Sequence, residues 1–201
     1  MFRGFSQNIN LPLPNKKGKF SLEEILDRRR SIREFSNLPL SLEELSQILW
    51  ASYGVNRWNK LTSPSAGALY PLVIYVVVGN VKGLEAGLYK YDNKIHSLIL
   101  INLGDFRKEL SNACLGQSWV KEAPINIIVC ANYGITTSRY GERGKRYVDI
   151  ETGHVGQNIY LEATALNLAT VAIGAFYDDR VKKLLSLKEE PLYIFPVGRP
   201  K

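Results

Sequence analysis

Two uninterrupted apolar runs constrain the fold of this 201-residue chain more than any other feature. Leu72–Val78 and Ile125–Ala131 are rich in β-branched and aliphatic residues, whereas a strand with one face in water would alternate apolar and polar residues. Each run therefore predicts a strand that is buried on both faces. A chain of this length buries roughly 70% of its unfolded surface, which is enough for such a core.

Two capping boxes and one apolar periodicity predict the main helices. The segments Ser21-Leu22-Glu23-Glu24 and Ser41-Leu42-Glu43-Glu44 predict helix starts, with helices over 22–30 and 42–53. Apolar residues at helical spacing predict a long central helix over 154–166. Helices and strands are interleaved without strict βαβ alternation, which favours an α+β fold with a central mixed β-sheet flanked by helices.

Shorter patterns predict the remaining elements and the domain organisation. Residues 1–20 contain prolines, a glycine and several basic residues, and we expect an extended N-terminal arm followed by a single domain over 21–201. Within that domain the sequence predicts a hairpin of strands 87–91 and 94–101, a helix from Asp105 to about 115, a strand over 168–173, a helix from Asp178 to about 187, and a last strand over 192–197.

Composition excludes several classes of function. The net charge of +7 would suit nucleic acid, but the basic residues are scattered and no recognised nucleic-acid module is present. The two histidines, His96 and His154, lie in different predicted elements without zinc-ligand spacing, so we expect no metal site. No apolar run is long enough for a membrane span. With no secretory signal visible and only two distant cysteines, a cytoplasmic location is expected.

The densest functional signal is the segment Arg28-Arg29-Arg30-Ser31-Ile32-Arg33-Glu34-Phe35. Arginine offers a rigid fork of donors that matches phosphate oxygens two at a time. The apolar residues Ile32 and Phe35 interrupt the charges and could anchor the backbone. From these residues alone, a phosphate site and a solvated basic turn both remain open.

Two further segments give the arginine motif a family context. Ser63-Pro64-Ser65-Ala66-Gly67-Ala68-Leu69-Tyr70-Pro71 is a small-residue loop before a strand, and the chain ends in Val197-Gly198-Arg199-Pro200-Lys201. Together the three segments resemble the nitroreductase family of FMN-dependent oxidoreductases, and especially its SagB-type dehydrogenase branch, which includes the azoline oxidases. The resemblance extends from about residue 11 to 199. It implies the nitroreductase fold, FMN as cofactor, and a homodimer with shared FMN sites.

The resemblance also implies which side chains hold the phosphate end of the cofactor. Arg29 and Ser31 match family positions at the phosphate, Arg30 matches a position along the ribityl–phosphate stretch, and Arg33 matches the cation near N1 and O2 of the flavin ring. Arg199 resembles a second phosphate ligand.

Two small-residue segments are implied to approach the flavin ring. Gly174 and Ala175 lie in a segment that resembles the one presenting backbone N–H groups to flavin N5, and a chain passing flat against a ring needs small side chains. Pro64, Ser65 and Ala66 resemble the loop that reaches the cofactor from the other subunit.

The candidate catalytic residues are Tyr140 and Lys145. Azoline oxidases are expected to carry a Lys-Tyr pair as catalytic base near this position, where this chain has Arg139-Tyr140 and, further on, Lys145. Arginine stays protonated at working pH and cannot act as a base, which argues against azoline oxidation. His154 belongs to a Gly-His pair that also occurs in the SagB-type branch. A lone histidine at such a position is more often structural than catalytic.

The resemblance implies an FMN-dependent oxidoreductase that works by ping-pong hydride transfer between NAD(P)H and an organic acceptor such as a nitroaromatic or a quinone. Two alternatives remain. One is a SagB-type azoline dehydrogenase in peptide maturation. The other is a non-catalytic flavin-binding protein or a subunit that depends on a partner.

Overall fold

The computed structural model describes residues 8–201. The chain forms seven α-helices and seven β-strands within that range. The helices are α1 Leu22–Arg28, α2 Leu42–Tyr53, α3 Arg107–Ala113, α4 Ser118–Glu122, α5 Tyr133–Tyr140, α6 Arg143–Ala165 and α7 Asp178–Leu184. The strands are β1 Asn8–Asn10, β2 Leu72–Val78, β3 Gly87–Asp92, β4 Ser97–Leu103, β5 Ile125–Ala131, β6 Ala169–Thr170 and β7 Glu190–Gly198.

The seven strands form one sheet in the order β1-β4-β3-β2-β5-β7-β6. The two apolar runs lie side by side as β2 and β5, which confirms their prediction as central buried strands. The α+β class is also confirmed. The sequence predicted a mixed sheet, whereas the named strands all pair antiparallel, because hairpins and helices return the chain in the opposite direction. Within residues 8–201, the one parallel pairing is an isolated bridge between Leu40 and Val81.

Side chains from β2 alternate between two apolar cores, one on each face of the sheet. Ile74, Val76 and Val78 point to the core that is covered by α2 and α6. Tyr75 and Val77 point to the opposite core, which is covered by α3 and α7. This two-layer burial explains why β2 carries no polar face.

The central helix α6 begins eleven residues before the predicted start at 154 and has 23 residues. Its first half is rich in charged and polar residues, so apolar periodicity is weak there, yet it buries Val148, Glu151 and Thr152. The strand predicted over 168–173 is shortened to β6, because only Ala169 and Thr170 pair with β7. Asn167 closes the helix in the left-handed conformation with φ of 55°, as the sequence predicted.

Three other boundaries differ by a few residues. The β3–β4 turn is longer than predicted, with His96 in the left-handed region at φ of 50°. Asp105 lies two residues before α3, where its carboxylate accepts from the Arg107 backbone N–H at 3.1 Å and also binds the Arg107 guanidinium. Asp178 is the first residue of α7 rather than its cap, which is Tyr177.

Residues 8–20 of the predicted arm pack on their own domain, and residues 1–7 lie outside the described residues. The strand Asn8–Asn10 pairs with β4 at the edge of the sheet. Pro12 O accepts a hydrogen bond from Ser46 Oγ at 2.5 Å and lies 3.0 Å from His96 Nε2. Burial lowers the pKa of His96, whose Nδ1 lies 2.7 Å from the Tyr91 hydroxyl. A neutral imidazole therefore holds the arm against α2 and the β3–β4 turn.

Candidate active site

The arginine motif follows the short helix α1, whose capping box at Ser21 and Glu24 is formed. Arg29 is extended, with φ of −61° and ψ of 124°, so the helix ends where the motif begins. Three residues later the Ile32 backbone N–H donates to Thr170 O at 3.0 Å. The motif is thereby fixed beside β6, near the end of α6.

The arginines of the motif have no carboxylate partner. Among residues 8–201, no Asp or Glu oxygen lies within 4.0 Å of a guanidinium nitrogen of Arg29, Arg30 or Arg33. The Arg29 guanidinium carbon lies 5.2 Å from the centre of the Tyr160 ring, and that of Arg33 lies 5.7 Å from the Trp119 ring. Three guanidinium groups without a counter-ion, on both sides of the Ser31 hydroxyl, form a donor set that fits a phosphate or another anion.

Sequence reasoning missed Tyr160, which joins the arginine motif to the small-residue segment. The Tyr160 hydroxyl lies 2.8 Å from Ser31 Oγ and accepts a hydrogen bond from the Ala172 backbone N–H at 2.8 Å. A half-buried tyrosine with its hydroxyl at the end of an apolar helix usually has such a polar partner. That general rule was the only signal in the sequence, because the partners are distant along the chain.

The segment that contains Gly174 and Ala175 lies beyond Ala172, outside the sheet. Both residues are exposed, and the preceding Ile173 exchanges backbone hydrogen bonds with Ile194 of β7. Gln117, which the sequence did not single out, donates from Nε2 to Ala175 O at 3.0 Å. The segment is therefore held at both ends while its small residues face solvent, as an approach to a planar ring requires.

Arg199 lies close to the arginine motif in space but has a carboxylate partner. Ser36 N–H donates to Arg199 O at 2.9 Å, so the C-terminal segment runs beside the residues that follow the motif. The Arg199 Nη2 atom donates to both carboxylate oxygens of Glu44, at 2.8 and 3.0 Å. Glu44 also completes the capping box of α2 with Ser41.

The loop of Pro64, Ser65 and Ala66 lines a separate cavity of about 250 Å³, against the first half of α6. Ser65 Oγ accepts from the Tyr70 backbone N–H at 2.9 Å, which tightens the turn. The other lining residues come from α6 and are Tyr147, Ile150, Glu151 and His154. The structure thus places His154 at the mouth of this cavity as an exposed side chain.

Glu151 is a buried carboxyl group beneath that loop and was not predicted from sequence. Only 2% of the residue is exposed, and burial raises the pKa of its carboxyl above the ordinary value. The Tyr53 hydroxyl donates to Glu151 Oε1 at 2.6 Å, and Ser65 lines the same cavity as the carboxyl group. Glu151 therefore joins the loop to α2 through α6.

Of the two candidate catalytic residues, only Tyr140 lies at the loop. Gly67 has φ of +60°, and a Cβ atom placed there would lie 2.7 Å from the Tyr140 hydroxyl and 3.0 Å from Arg139 Nη1. Lys145 instead pairs with Glu142 at 2.7 Å on the surface, where its side chain is 57% exposed. The structure therefore brings Tyr140 and Arg139 to the loop, whereas Lys145 has a surface ion pair.

The two halves of the predicted flavin site contact α6 at different heights. Ser31 Oγ contacts α6 at the Tyr160 hydroxyl, whereas the Pro64–Ala66 loop lines the cavity beside Glu151, nine residues earlier. Ser63, just before that loop, accepts a hydrogen bond from Asn158 Nδ2 of α6 at 3.0 Å. Nine residues of α-helix span roughly 14 Å. The arginine motif and the Pro64–Ala66 loop of one chain therefore lie beside different turns of the same helix.

Metal and membrane features were also searched in the described part of the chain. Residues 8–201 bring together no group of three His, Cys, Asp or Glu side chains that could hold a metal ion. In the same range, no helix combines the length and apolar character needed to cross a bilayer.

Comparisons with known proteins identify the family. The model of the nitroreductase family matches residues 26–199. A protein of Methanocaldococcus jannaschii, provisionally named a nitroreductase, is 50% identical over 192 residues, which cover 95% of this chain and 96% of that protein. The trifolitoxin operon protein TfxC of Rhizobium leguminosarum bv. trifolii is 29% identical over 86% of this chain, which spans 54% of TfxC.

Solved structures give the same assignment. A provisionally named nitroreductase of Ralstonia eutropha has a TM-score of 0.85 and 31% identity, covering 98% of this chain and 92% of its own. One of Anabaena variabilis has a TM-score of 0.82 and 34% identity, covering 90% of this chain, which spans only 38% of that longer protein.

Two more distant structures share the fold. The microcin synthetase McbBCD complex of E. coli, solved with truncated pro-MccB17 bound, contains a chain with a TM-score of 0.78 and 22% identity, covering 100% of this chain and 77% of that one. The NADPH:FMN oxidoreductase of Vibrio harveyi, complexed with NAD+, has a TM-score of 0.65 and 20% identity. The match covers 90% of this chain and 69% of that one. The family model and the M. jannaschii relative establish that the chain belongs to the nitroreductase family.

Proposed function

We propose that this member of the nitroreductase family is an FMN-dependent oxidoreductase that transfers hydride between NAD(P)H and an organic acceptor such as a nitroaromatic or a quinone. The observation that carries the proposal is the set of guanidinium groups without carboxylate partners, Arg29, Arg30 and Arg33, around Ser31. Tyr160 connects this cluster to the exposed small-residue segment at Gly174 and Ala175.

The residues present fit FMN by their chemistry. Arg29, Arg30 and Ser31 would hold the phosphate and the ribityl chain, and Arg33 would place positive charge beside the pyrimidine edge of the ring. When bound, FMN supplies a ring that accepts and returns a hydride at N5. The small residues of the 172–175 segment would let backbone N–H groups approach that ring and keep water from one side of it.

The separation along α6 supports a homodimer with shared FMN sites. The Pro64–Ala66 loop of one chain lies beside a turn of α6 that is roughly 14 Å along the helix from the turn that contacts the arginine motif. In our proposal, the loop of a second copy completes the site that the arginine motif begins. Tyr140 and the cavity of about 250 Å³ beside the Pro64–Ala66 loop would then lie at that subunit interface.

A reductase assay tests the proposed reaction. Protein loaded with FMN is mixed anaerobically with NADH or NADPH, and the flavin absorbance near 450 nm is followed, after which a quinone or a nitroaromatic is added. We expect the nicotinamide to bleach the flavin and the acceptor to restore the absorbance. If neither nicotinamide reduces bound FMN under these conditions, the proposal is wrong.

A second candidate function is azoline dehydrogenation during peptide maturation. It is favoured by the similarity to TfxC, which belongs to a trifolitoxin operon, and by the shared fold of a chain in a microcin synthetase complex. The reaction removes a hydride and a proton from the azoline ring, so it requires a base close to the acceptor. Tyr140 at the Pro64–Ala66 loop is the candidate for that base, since Arg139 stays protonated.

Mass spectrometry distinguishes the two candidates. The oxidised, FMN-loaded protein is incubated with a thiazoline peptide, and loss of two hydrogens is measured. We expect no loss and therefore rank the reductase first; clear thiazole formation without another protein would reverse the ranking. In that case Tyr140→Phe should abolish dehydrogenation but leave nitro reduction within about threefold, because water can supply the proton for reduction.

A further inference from the structure

A cavity of about 720 Å³ lies at the other end of the sheet from the arginine motif, between the end of α2 and the β3–β4 turn. This volume is in the range of protein cavities that bind specific ligands. None of the residues predicted to bind the flavin lines it. Tyr53 lines the cavity, and its hydroxyl donates to Glu151.

The cavity forms where β2 and β3 separate. Their pairing ends at Tyr75 and Lys90, although both strands continue beyond that point. Leu72–Ile74 remains paired with β5, and Tyr91–Asp92 remains paired with β4. In the described sheet these two segments therefore have a strand on one side only, and all five of their residues line the cavity.

The walls carry positive charge and aromatic rings. Lys60, Lys90 and Lys94 line the cavity together with one acidic residue, Asp92. Within residues 8–201, no carboxylate oxygen lies within 4.0 Å of any of these three ammonium groups. Tyr53, Tyr70 and Tyr91 also line the cavity; Tyr53 and Tyr91 are largely buried, and Tyr70 is half-buried.

We propose that this cavity binds an extended segment of an acidic peptide. The open strand edges at Leu72–Ile74 and Tyr91–Asp92 offer backbone donors and acceptors, which are the groups that recognise an added strand. The lysines select acidic side chains on that strand, and the half-buried Tyr70 ring packs against its apolar side chains. This function is independent of hydride transfer, because the site shares no residue with the arginine motif.

Other classes of ligand would contact only some of the groups that line the cavity. A small organic anion would need the lysines but not the strand edges. A single-stranded nucleic acid would need a longer basic track than three lysines around one cavity. Only an extended peptide uses the separated strands, the charge and the rings together.

Fluorescence anisotropy with labelled peptides tests the site. The probes are an extended peptide of alternating glutamate and valine, its lysine–valine counterpart, and a backbone N-methylated form of the acidic peptide. We expect the acidic peptide to bind, the basic peptide not to bind, and N-methylation to weaken binding at least tenfold. Hydrogen exchange should slow at Ile74 and at Tyr91, whose backbone groups face the open edges, when the acidic peptide is present.

Charge-reversal variants locate the binding. Lys60 and Lys94 are exposed, so Lys60→Glu with Lys94→Glu should leave the fold intact and weaken the acidic peptide about tenfold. Lys108→Glu with Lys121→Glu makes the same charge change on another exposed surface and should alter affinity less than twofold. Equal weakening by both double variants, undiminished binding of the N-methylated peptide, or no binding of the acidic peptide would each overturn the proposal. Because the assay works with or without FMN, its failure would leave the proposed reductase function standing.

Discussion

At the scale of single residues, the hydroxyl of Tyr160 links the two segments that the proposed flavin site needs. It accepts from Ala172 N–H and hydrogen bonds to Ser31, each at 2.8 Å, while the Arg29 guanidinium lies over its ring. Removing this oxygen leaves a half-buried backbone donor without a partner and frees the serine. Tyr160 is therefore a positioning residue in our account rather than a ligand.

Tyr160→Phe should weaken FMN binding about tenfold, since a lost hydrogen bond of this kind costs roughly 1–2 kcal/mol. Because Ser31 is proposed to face the phosphate, riboflavin affinity should fall less than FMN affinity. Equilibrium titration followed by flavin fluorescence measures both. An equal loss of affinity for FMN and riboflavin would show that the hydroxyl acts only by positioning the 172–175 segment.

Arg199 provides a second residue-scale prediction, with Glu44 as its control. If Arg199 turns from Glu44 to the phosphate, Arg199→Ala should weaken FMN by roughly 1.5–3 kcal/mol and leave riboflavin affinity unchanged. Glu44→Gln keeps the capping box and removes the competing charge, so FMN should bind as tightly or more tightly. If FMN affinity is unchanged in Arg199→Ala, the ion pair with Glu44 is the whole role of Arg199.

Sequence alone could indicate the arginine cluster but not its partners. A run of arginines around Ser31 is visible in any sequence, because charge density is a local property. The bond from Arg199 to Glu44 joins residues 155 positions apart, and the Tyr160 contacts depend on where α6 ends relative to β6. Such pairings are decided by tertiary packing, which local patterns do not encode.

At the scale of elements, α6 explains both the successes and the errors of the sequence prediction. The strands β2 and β5 were predicted with correct bounds, because they are buried on both faces and continuously apolar. The first half of α6 was missed because its buried positions include Glu151 and Thr152, which break the apolar period. The Pro64–Ala66 loop lies beside this half of the helix, where it lines a cavity with the buried Glu151.

The buried Glu151 carboxyl predicts a pH dependence of stability. Its pKa is raised in the folded state, so its contribution to stability is fully present below the unfolded value of 4.5 and is lost as pH rises through the folded pKa. Glu151→Gln keeps an acceptor for Tyr53 without the charge. Urea unfolding from pH 4.5 upward should show wild-type stability falling relative to Glu151→Gln, by about 1.4 kcal/mol for each unit of the shift.

Other groups near Glu151, or on the same helix, also influence how stability changes with pH. Tyr53, Ser65 and His154 contribute to its environment, and Glu162 is another carboxyl of α6 whose pKa is raised by burial. The difference between wild type and Glu151→Gln cancels the contribution of Glu162. A difference that stays constant with pH would contradict a raised pKa for Glu151.

At the scale of the whole molecule, our proposal is that a second chain completes each flavin site. If the Pro64–Ala66 loop of a partner completes each site, flavin content should follow dimer content. Light scattering combined with absorbance at 450 nm measures both across a dilution series. A monomer that retains one FMN per chain would contradict the shared site.

The most direct test of the central claim is the comparison of FMN, riboflavin and FAD in titrations of the flavin-free protein. Our account predicts that FMN binds at least tenfold more tightly than riboflavin and more tightly than FAD, because the arginine motif closes over a monophosphate. Arg29→Gln should remove most of the difference between FMN and riboflavin. The matched control is Arg57→Gln, since Arg57 also lies over an aromatic ring, that of Trp58, and belongs to none of the segments of the proposed flavin site. Equal affinity for FMN and riboflavin, or preferential binding of FAD, would contradict the account.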